Sequence, residues 1–355
     1  MQEKILNTIE SIESKKSKFY FFAPDTDGNV TGGVKYICDC AMGIQSQGYE
    51  VFLFHEKPQY KIPPMGSTYG ELNFISFKTM NTDKRYLLTA ADFIFVGELY
   101  VQGLVGQMVQ SKIPSKIVVI SQAYDYIFQH MDIGMSWDLL GINDVLTTSK
   151  AQKEYIGEFM PMLDTQVVHP FIPSCFRPPE KPQKPYIAIV SRFPPDGDKL
   201  IKQFYLKYPL FSWVPFKALG QMSQEDFASE LRECCMGVWL DEIAGFGTFP
   251  LECMRSGVPL VAQVPSLIPE YAIEDNRLAT NAKWATNRLS MVDKIADTLD
   301  EFLHNTGVPI GYEVPYVEER FKKEISAYTE SLVAKRIKQL KTHINDNSNT
   351  DSPTQ

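Results

Sequence analysis

The fold of this chain is indicated most clearly by the segment Asp241-Glu242-Ile243-Ala244-Gly245-Phe246-Gly247-Thr248-Phe249-Pro250-Leu251-Glu252-Cys253-Met254-Arg255-Ser256-Gly257-Val258-Pro259-Leu260-Val261-Ala262. It reads as a strand end, a glycine loop, a helix, a tight turn and a second strand. Gly245 and Gly247 permit a loop with positive φ and close backbone approach. Pro250 suits a first helical turn, and Gly257 suits the residue just past a helix end. A glycine loop before a helix offers unpaired N–H groups and the positive end of the helix dipole, which attract phosphate.

The same segment resembles the donor-site signature of GT-B retaining glycosyltransferases of the family 4 type. In that signature a glutamate, Gly-Phe-Gly and a second glutamate precede a Met-x-x-Gly-x-Pro turn and a strand. Ala244 departs from the pattern because it replaces the first glutamate. Glu252 matches the second glutamate and is placed to hold a ribose diol. The resemblance implies that a nucleoside diphosphate sugar binds to Gly245, Phe246, Gly247, Thr248 and Glu252.

Bulk composition describes an ordinary globular protein. The chain has 355 residues, 44% of them hydrophobic and 22% charged, with a formal net charge of −8. This length and balance fit one or two domains with substantial cores. The sequence has no apolar run of about 18 residues and no signal-peptide pattern near its start, so we expect a cytoplasmic protein. Its six cysteines fit buried thiols better than a disulfide framework or a zinc site.

Strands and helices alternate through the first half of the chain. Such alternation predicts a doubly wound parallel sheet. We predict a helix over 34–47 and strands at 18–23, 49–55, 72–77, 92–96, 116–121, 145–148 and 166–169.

A proline-rich stretch then separates a second alternating series from the first. Prolines disfavour helices and central strands, so this stretch reads as a linker. The second series has predicted strands at 186–191, 211–217, 236–240 and 258–264 and a helix at 224–234. With the resemblance, we predict an α/β protein of GT-B architecture, two Rossmann-like doubly wound domains facing a cleft. Its parts are an acceptor domain at 1–172, a linker at 173–185, a nucleotide-sugar domain at 186–312, a C-terminal helix at 313–342 and a disordered tail at 343–355.

The C-terminal helix carries clusters of lysine and arginine. We expect it to pack back on the N-terminal domain with a solvated basic face. The alternative is a basic helix that makes peripheral contact with a membrane surface.

Further site residues follow from the resemblance. Gly32 and Gly33 match the Gly-Gly turn of the N-terminal domain, which lies against the donor diphosphate. Arg192 and Lys199 resemble the two cations that neutralise the leaving diphosphate, where negative charge grows during transfer. Arg192 is the stronger candidate because the residue after Lys199 is leucine rather than the usual glycine, and Lys199 also fits a solvated loop lysine.

Gln122 falls where relatives often carry a histidine near the sugar. Two sugar-contacting positions, Ala244 and Gln122, therefore differ from the common pattern, while the phosphate and ribose positions persist. We interpret this as an intact nucleotide site that serves an unusual sugar, such as a pentose or deoxy sugar. The rival interpretation is a non-catalytic nucleotide- or glycan-binding module.

The predicted activity is transfer of a sugar from a nucleoside diphosphate sugar, such as a UDP sugar, with retention implied by the resemblance. We expect no metal and no cofactor beyond the donor, because arginine and lysine side chains together with a helix N-terminus can neutralise the diphosphate. The acceptor stays open among a glycan, a lipid-linked glycan and modified DNA. A phage-type transferase acting on hydroxymethylated cytosine, with arabinose as one sugar, would need basic side chains lining its cleft, for which Lys15, Lys16, Lys18, Lys84 and Arg85 are candidates. A sugar-nucleotide epimerase of similar shape would need further carboxylates in the cleft.

Overall fold

The computed structural model describes residues 2–29, 31–57, 59–61, 71–220, 222–275, 277–304 and 311–350. These parts of the chain form two parallel β-sheets with helices on both faces of each sheet. The apolar side chains of the strands are buried on both sides, which explains why the strands read as near-continuous hydrophobic runs in the sequence.

The first sheet has seven strands in the order β3-β2-β1-β4-β5-β6-β7, and every neighbouring pair is parallel. All seven predicted strands are confirmed, with ends that shift by at most two residues. The elements of this half are α1 (Gln2–Glu13), β1 (Lys18–Phe22), α2 (Gly32–Gln45), β2 (Glu50–His55), β3 (Asn73–Ser76), α3 (Phe77–Thr82), β4 (Phe93–Gly97), α4 (Gly106–Gln110), β5 (Lys116–Ser121), α5 (Tyr124–Gln129), β6 (Asp144–Thr147), α6 (Lys150–Phe159) and β7 (Asp164–Val167).

The second sheet has five parallel strands in the order β14-β11-β10-β8-β9. Its half contains β8 (Lys184–Ser191), α7 (Pro194–Lys207), β9 (Phe216–Ala218), α8 (Gln224–Glu233), β10 (Cys234–Leu240), α9 (Phe249–Arg255), β11 (Leu260–Gln263), β12 (Ile273–Glu274), β13 (Arg277–Leu278), β14 (Lys283–Ala285) and α10 (Arg288–His304). Strand β8 begins inside the stretch that was predicted to be a linker.

The predicted strand at 211–217 is largely wrong. Pro209–Phe211 forms a 3₁₀ turn instead, and the strand begins only at Phe216. Phe211 packs its ring against Phe204 of α7 at 6.1 Å, and Val214 donates its N–H to the Phe211 carbonyl. These backbone groups are hydrogen-bonded within the turn and are not available to pair with a neighbouring strand. The apolar residues of this segment therefore pack against α7 instead of joining the sheet.

Helix α11 (Glu318–Thr350) packs back on the N-terminal half. Its Phe321, Ile325, Tyr328 and Leu332 are buried in the core beside α2, where Gly43 lacks the Cβ that would lie 2.8 Å from Ile325 Cγ2. The helix continues through residues 343–350, which were predicted to be disordered. Residues 351–355 of that predicted tail lie outside the described residues.

Two basic residues of α11, Lys335 and Arg336, pair within the protein. Lys335 contacts the carboxylates of Asp144 and Asp164, and Arg336 donates to the backbone carbonyls of Ala90 and Pro114. This arrangement does not leave those two cations facing a membrane, as the alternative interpretation requires. In the described part of the chain, no helix is both long and apolar enough to cross a bilayer.

His169 links three parts of the structure. Its Nε2 lies 3.1 Å from Glu270 Oε1 in the C-terminal half, and its Nδ1 lies 3.0 Å from Glu324 Oε2 on α11. Burial alone lowers the pKa of His169, but its hydrogen bonds to both carboxylates raise it above its usual value. The residue therefore connects the second half of the chain to the helix that returns to the first, and both contacts favour its protonated form.

Candidate active site

A cavity of about 690 Å³ lies between the carboxyl ends of the two sheets. One wall consists of residues that follow β1, β4 and β5 together with the first turn of α2. The other wall consists of residues that follow β8 and β10, including the glycine loop. Ligands of open α/β sheets bind outside the carboxyl ends of the strands, so this cavity is the expected place for a site.

The glycine loop forms the floor of the cavity. Gly247 has φ +73°, and a Cβ there would lie 2.5 Å from Trp239 Cζ2, so both its conformation and its surroundings require glycine. The Tyr271 hydroxyl, 2.8 Å from the carbonyl oxygens of Phe246 and Gly247, fixes the loop from behind. Helix α9 follows the loop directly, and its residues Phe249 and Glu252 line the cavity.

Glu252 lies one turn into α9 and lines the cavity. Its side chain is buried, and this desolvation raises its pKa to about 7 although Thr248 and the charge of Lys35 act in the opposite direction. A buried carboxyl group with a perturbed pKa in a cleft is typical of a functional position.

Gly245 has a different position from its neighbours in the loop. The structure places it in the contact between the two halves, where its N–H donates to the Gln122 carbonyl over 2.9 Å. A Cβ on Gly245 would lie 1.7 Å from Gln152 Oε1. Ala244 forms the adjoining antiparallel bridge with Ala123. Gly245 was predicted to bind the donor. In the structure, its lack of a side chain allows the two halves to come into contact at Gln122 and Gln152.

Arg192 follows β8 and reaches into the cavity. Its Nε and Nη2 donate to both carboxylate oxygens of Asp241 at 2.8–3.0 Å, and its Nη1 lies 3.2 Å from the Tyr126 hydroxyl in the other half. Burial by itself lowers the pKa of Arg192, but the hydrogen bonds and charge of Asp241 raise it above its usual value. The guanidinium is thus a fixed positive charge that spans the cleft.

Lys199 is not brought to the cavity. It lies on α7 with its side chain 69% exposed, and its ammonium group pairs with Asp196 on the same helix at 3.1 Å. The buried face of α7 carries Leu200 and Phe204, which turns Lys199 toward solvent. The interpretation as a solvated lysine fits this geometry, and the interpretation as a diphosphate cation does not.

Gln122, Gly32 and Gly33 meet on the N-terminal wall. The Gln122 amide donates to the Gly33 carbonyl over 3.2 Å, and a Cβ on Gly33 would lie 3.3 Å from Gln122 Oε1. The glycine turn therefore lets the start of α2 approach the end of β5. All three residues line the cavity, and their roles in donor and sugar binding remain predictions.

Several cavity residues were missed in the sequence. Glu98 follows β4, and its buried carboxylate accepts the N–H groups of Gln122 and Ala123 at 3.0 and 2.9 Å. Desolvation raises the pKa of Glu98 to about 7 despite these hydrogen bonds and the charge of Arg192. Lys35 and Asp39, one turn apart on α2, also line the cavity and pair at 2.6 Å. Glu98 lies two residues after the predicted strand at 92–96, but its local sequence does not distinguish it from an ordinary loop residue.

The lysine clusters expected to line a nucleic-acid cleft lie elsewhere. Lys18 is the first residue of β1, whereas Phe22 at the opposite end of that strand lines the cavity. Lys18 also donates to the Arg85 carbonyl, which places both clusters at the amino edge of the sheet. The described residues contain no group of three His, Cys, Asp or Glu side chains arranged to hold a metal ion.

Known proteins resemble this chain in structure rather than in sequence. No protein-family profile matches the sequence, and no curated protein is significantly similar to it. Sucrose-phosphate synthase from Thermosynechococcus elongatus is similar over 93% of this chain and 100% of its own, with 13% identity and a TM-score of 0.52. Anabaena HepE, solved in complex with UDP and glucose, is similar over 94% and 100%, with 12% identity and a TM-score of 0.52. The lipopolysaccharide outer core galactosyltransferase WaaB is similar over 92% and 99%, with 13% identity and a TM-score of 0.51.

At these identities the likeness shows the fold. The chain has the GT-B architecture, two Rossmann-like domains on either side of a cleft, and the predicted fold class is confirmed. The family 4 assignment and the roles of the donor motif remain predictions.

Proposed function

We propose that this protein is a glycosyltransferase that moves a sugar from a nucleoside diphosphate sugar to an acceptor. The observation that carries the proposal is the convergence of the glycine loop, Arg192 and Glu252 on one cavity at the carboxyl ends of both sheets. A nucleoside diphosphate needs a hydrogen-bond acceptor for its ribose hydroxyls, a positive charge for its phosphates and backbone N–H groups that donate to phosphate oxygens. In this proposal Glu252 is the acceptor, Arg192 is the positive charge and the glycine loop supplies the N–H groups. The structure of Anabaena HepE with UDP and glucose adds support for a UDP sugar as the donor.

In the proposed reaction the acceptor hydroxyl oxygen forms a bond to the anomeric carbon while the bond from that carbon to the diphosphate oxygen breaks. The electron pair stays on the leaving diphosphate, which takes up the hydroxyl proton. Arg192 stabilises the charge that grows on the diphosphate, because its position is fixed by Asp241 before the reaction begins. We further propose retention of configuration and no metal requirement, supported by the resemblance of the donor loop.

Gln122 and Ala244 are the proposed sugar-facing residues. Ala244 removes a carboxylate from the donor side, and its bridge to Ala123 holds it close to the opposite wall. A sugar that lacks a hydroxymethyl group needs fewer polar partners there. This supports a pentose or deoxy sugar as the donor group.

The test is release of nucleoside diphosphate from a panel of hexose and pentose donors, with and without hydroxymethylated DNA, and with glycan acceptors. We expect release with one donor class, retained in the presence of a metal chelator. Arg192→Met should reduce the rate by about 100-fold or more, in line with the loss of a fixed charge at a transition state. Lys199→Met distinguishes two interpretations of Lys199. If Lys199 is a diphosphate cation, as the resemblance implies, the rate should fall by a comparable factor. If it is a solvated lysine, as its exposed position indicates, the rate should not change.

The other outcomes identify the alternatives. Stimulation by hydroxymethylated DNA would assign a DNA acceptor, and stimulation by a glycan would assign a carbohydrate acceptor. Tight diphosphate binding without release from any donor would favour a non-catalytic binding module. Absence of diphosphate binding would refute the proposal.

A further inference from the structure

We propose that Lys35, supplied by the N-terminal half, is the second cation of the diphosphate site and takes the role that the sequence assigned to Lys199. This inference rests on the proposed function. Among the described residues that line the cavity, Lys35 and Arg192 are the lysine and arginine side chains, and they come from opposite walls. The donor site would therefore be complete only when both halves of the chain face each other.

The position of Lys35 is electrostatically costly, which argues for a purpose. It lies in the first turn of α2, directly after the Gly32-Gly33 turn, where the helix dipole disfavours a positive charge. The chain compensates with Asp39 one turn later, whose buried carboxylate lies 2.6 Å from the ammonium group. A lysine with no ligand to meet would be more stable on the exposed side of the helix.

Lys35 is also held in place. Its side chain is 16% exposed, and its Nζ lies 4.5 Å from the centroid of the Phe171 ring, a distance at which a cation is attracted to the ring face. Its charge acts across the cleft, since it partly offsets the increase that burial causes in the pKa of Glu252 in α9. Lys35 and Glu252 thus line the same cavity from opposite walls.

The pairing with Asp39 does not use up the ammonium group. A lysine has three N–H donors, so one can remain with Asp39 while another meets a phosphate oxygen. Arg192 behaves in the same way: Nε and Nη2 donate to Asp241 and Nη1 donates to the Tyr126 hydroxyl, and a guanidinium has further N–H groups that can meet a phosphate. Two cations anchored by carboxylates would hold the diphosphate between the two walls.

The experiment measures dissociation constants of nucleoside diphosphates, the matching nucleosides and inorganic pyrophosphate by calorimetry. The probes are UDP, ADP and GDP, and the tightest of them is used with the variants. Lys35→Met should weaken diphosphate and pyrophosphate binding by about 10- to 100-fold, the loss expected for one charge-assisted hydrogen bond. Nucleoside binding should stay within about twofold, and Lys35→Arg should recover much of the loss. Lys202→Met, an exposed lysine of α7, is the matched control.

Removal of Lys35 leaves Asp39 buried beside the cavity, so the double change Lys35→Met with Asp39→Asn guards against a folding defect. Thermal unfolding of each variant accompanies the titrations. If the wild-type protein binds a diphosphate and the two Lys35→Met proteins bind it equally well, the role of Lys35 is refuted while the proposed function stands. If the wild-type protein binds none of the diphosphates, both proposals fall. Equal weakening of nucleoside and diphosphate would also refute it, because the effect would then be structural.

Discussion

Replacement of Gly245 by alanine tests whether the two halves meet as the structure describes. Gly245 does not have a positive φ, so alanine is compatible with its backbone conformation. The cost must come from its surroundings, where the new Cβ would lie 1.7 Å from Gln152 Oε1 and 2.5 Å from the Gln122 carbonyl oxygen. Gln152 is fully buried and donates to Ser121 Oγ over 2.7 Å, so it cannot move without the loss of that hydrogen bond.

The magnitude follows from these contacts. Overpacking of a closed site costs about 1–3 kcal/mol. Loss of the 2.9 Å hydrogen bond between the Gly245 N–H and the Gln122 carbonyl adds about 0.5–1.5 kcal/mol. The lower entropy of an unfolded chain with alanine returns about 0.4–1 kcal/mol. We expect a net destabilisation of about 0.5–4 kcal/mol, centred near about 2 kcal/mol.

Calorimetry of the ligand-free protein measures this loss, and small-angle scattering reports whether the halves separate. Gly157→Ala is the control, because Gly157 lies inside α6 with no atom near the position of its missing Cβ. Alanine at that position should stabilise the helix by about 0.5–1 kcal/mol. A Gly245→Ala protein with the stability and the scattering profile of the wild type would refute this account of the contact.

Three further predictions concern single side chains. His169→Gln should destabilise the protein more at about pH 6 than at about pH 9 in urea unfolding. The reason is that a raised histidine pKa gives stability that is present below about pH 6.5 and is lost as the pH rises through the folded-state pKa. An equal loss at both pH values would contradict the charged contacts of His169 with Glu270 and Glu324. Glu252→Gln should stabilise the protein at about pH 8 by up to roughly 3 kcal/mol and leave it unchanged near about pH 4. The reason is that a carboxyl pKa raised from 4.5 to about 7 costs stability as the pH rises between those values. A stability difference that does not change with pH would argue against a raised pKa of Glu252. Ala244→Glu should lower the unfolding free energy by about 1–3 kcal/mol, since it buries a carboxylate at a position that is 5% exposed, whereas Ala244→Ser should have little effect.

The strands and the glycine loop were predictable because local physics determines them. Buried parallel strands need continuous apolar runs, and the positive φ of Gly247 leaves glycine as the residue of choice. Lys199 was predicted from a resemblance alone. The apolar spacing of α7, with Leu200 on its buried face, indicates that the neighbouring Lys199 points outward.

Lys35 and Glu98 could not be found in this way, because their importance depends on which strand ends the topology brings together. The groups that they contact are distant in sequence, since Glu98 accepts from the backbone of Gln122 and Lys35 lies against the Phe171 ring. A helical lysine at i and an aspartate at i+4 usually form a solvated surface pair, and nothing local distinguishes Lys35 and Asp39 from such a pair. The fold supplies that distinction.

The cavity has more carboxyl groups than cations, so donor binding should depend on pH. Among the described lining residues, five are acidic, namely Asp25, Asp39, Glu98, Asp241 and Glu252, against the two cations Lys35 and Arg192. Burial raises the pKa of both Glu98 and Glu252 to about 7, so each is partly protonated near neutral pH. A diphosphate brings further negative charge and should raise both pKa values again, because like charges disfavour the ionised form.

Donor binding should therefore take up protons, and affinity should rise as pH falls from about 8 to about 6. The measurement is the dissociation constant of the nucleotide sugar selected by the donor panel, whose diphosphate linkage does not itself titrate in this range. Uptake of one proton gives a limiting slope of tenfold per pH unit, so we expect a change of several-fold per unit. Glu98→Gln and Glu252→Gln should each flatten the dependence and together remove most of it. An affinity that is independent of pH in the wild-type protein would show that neither carboxyl group lies near the bound diphosphate.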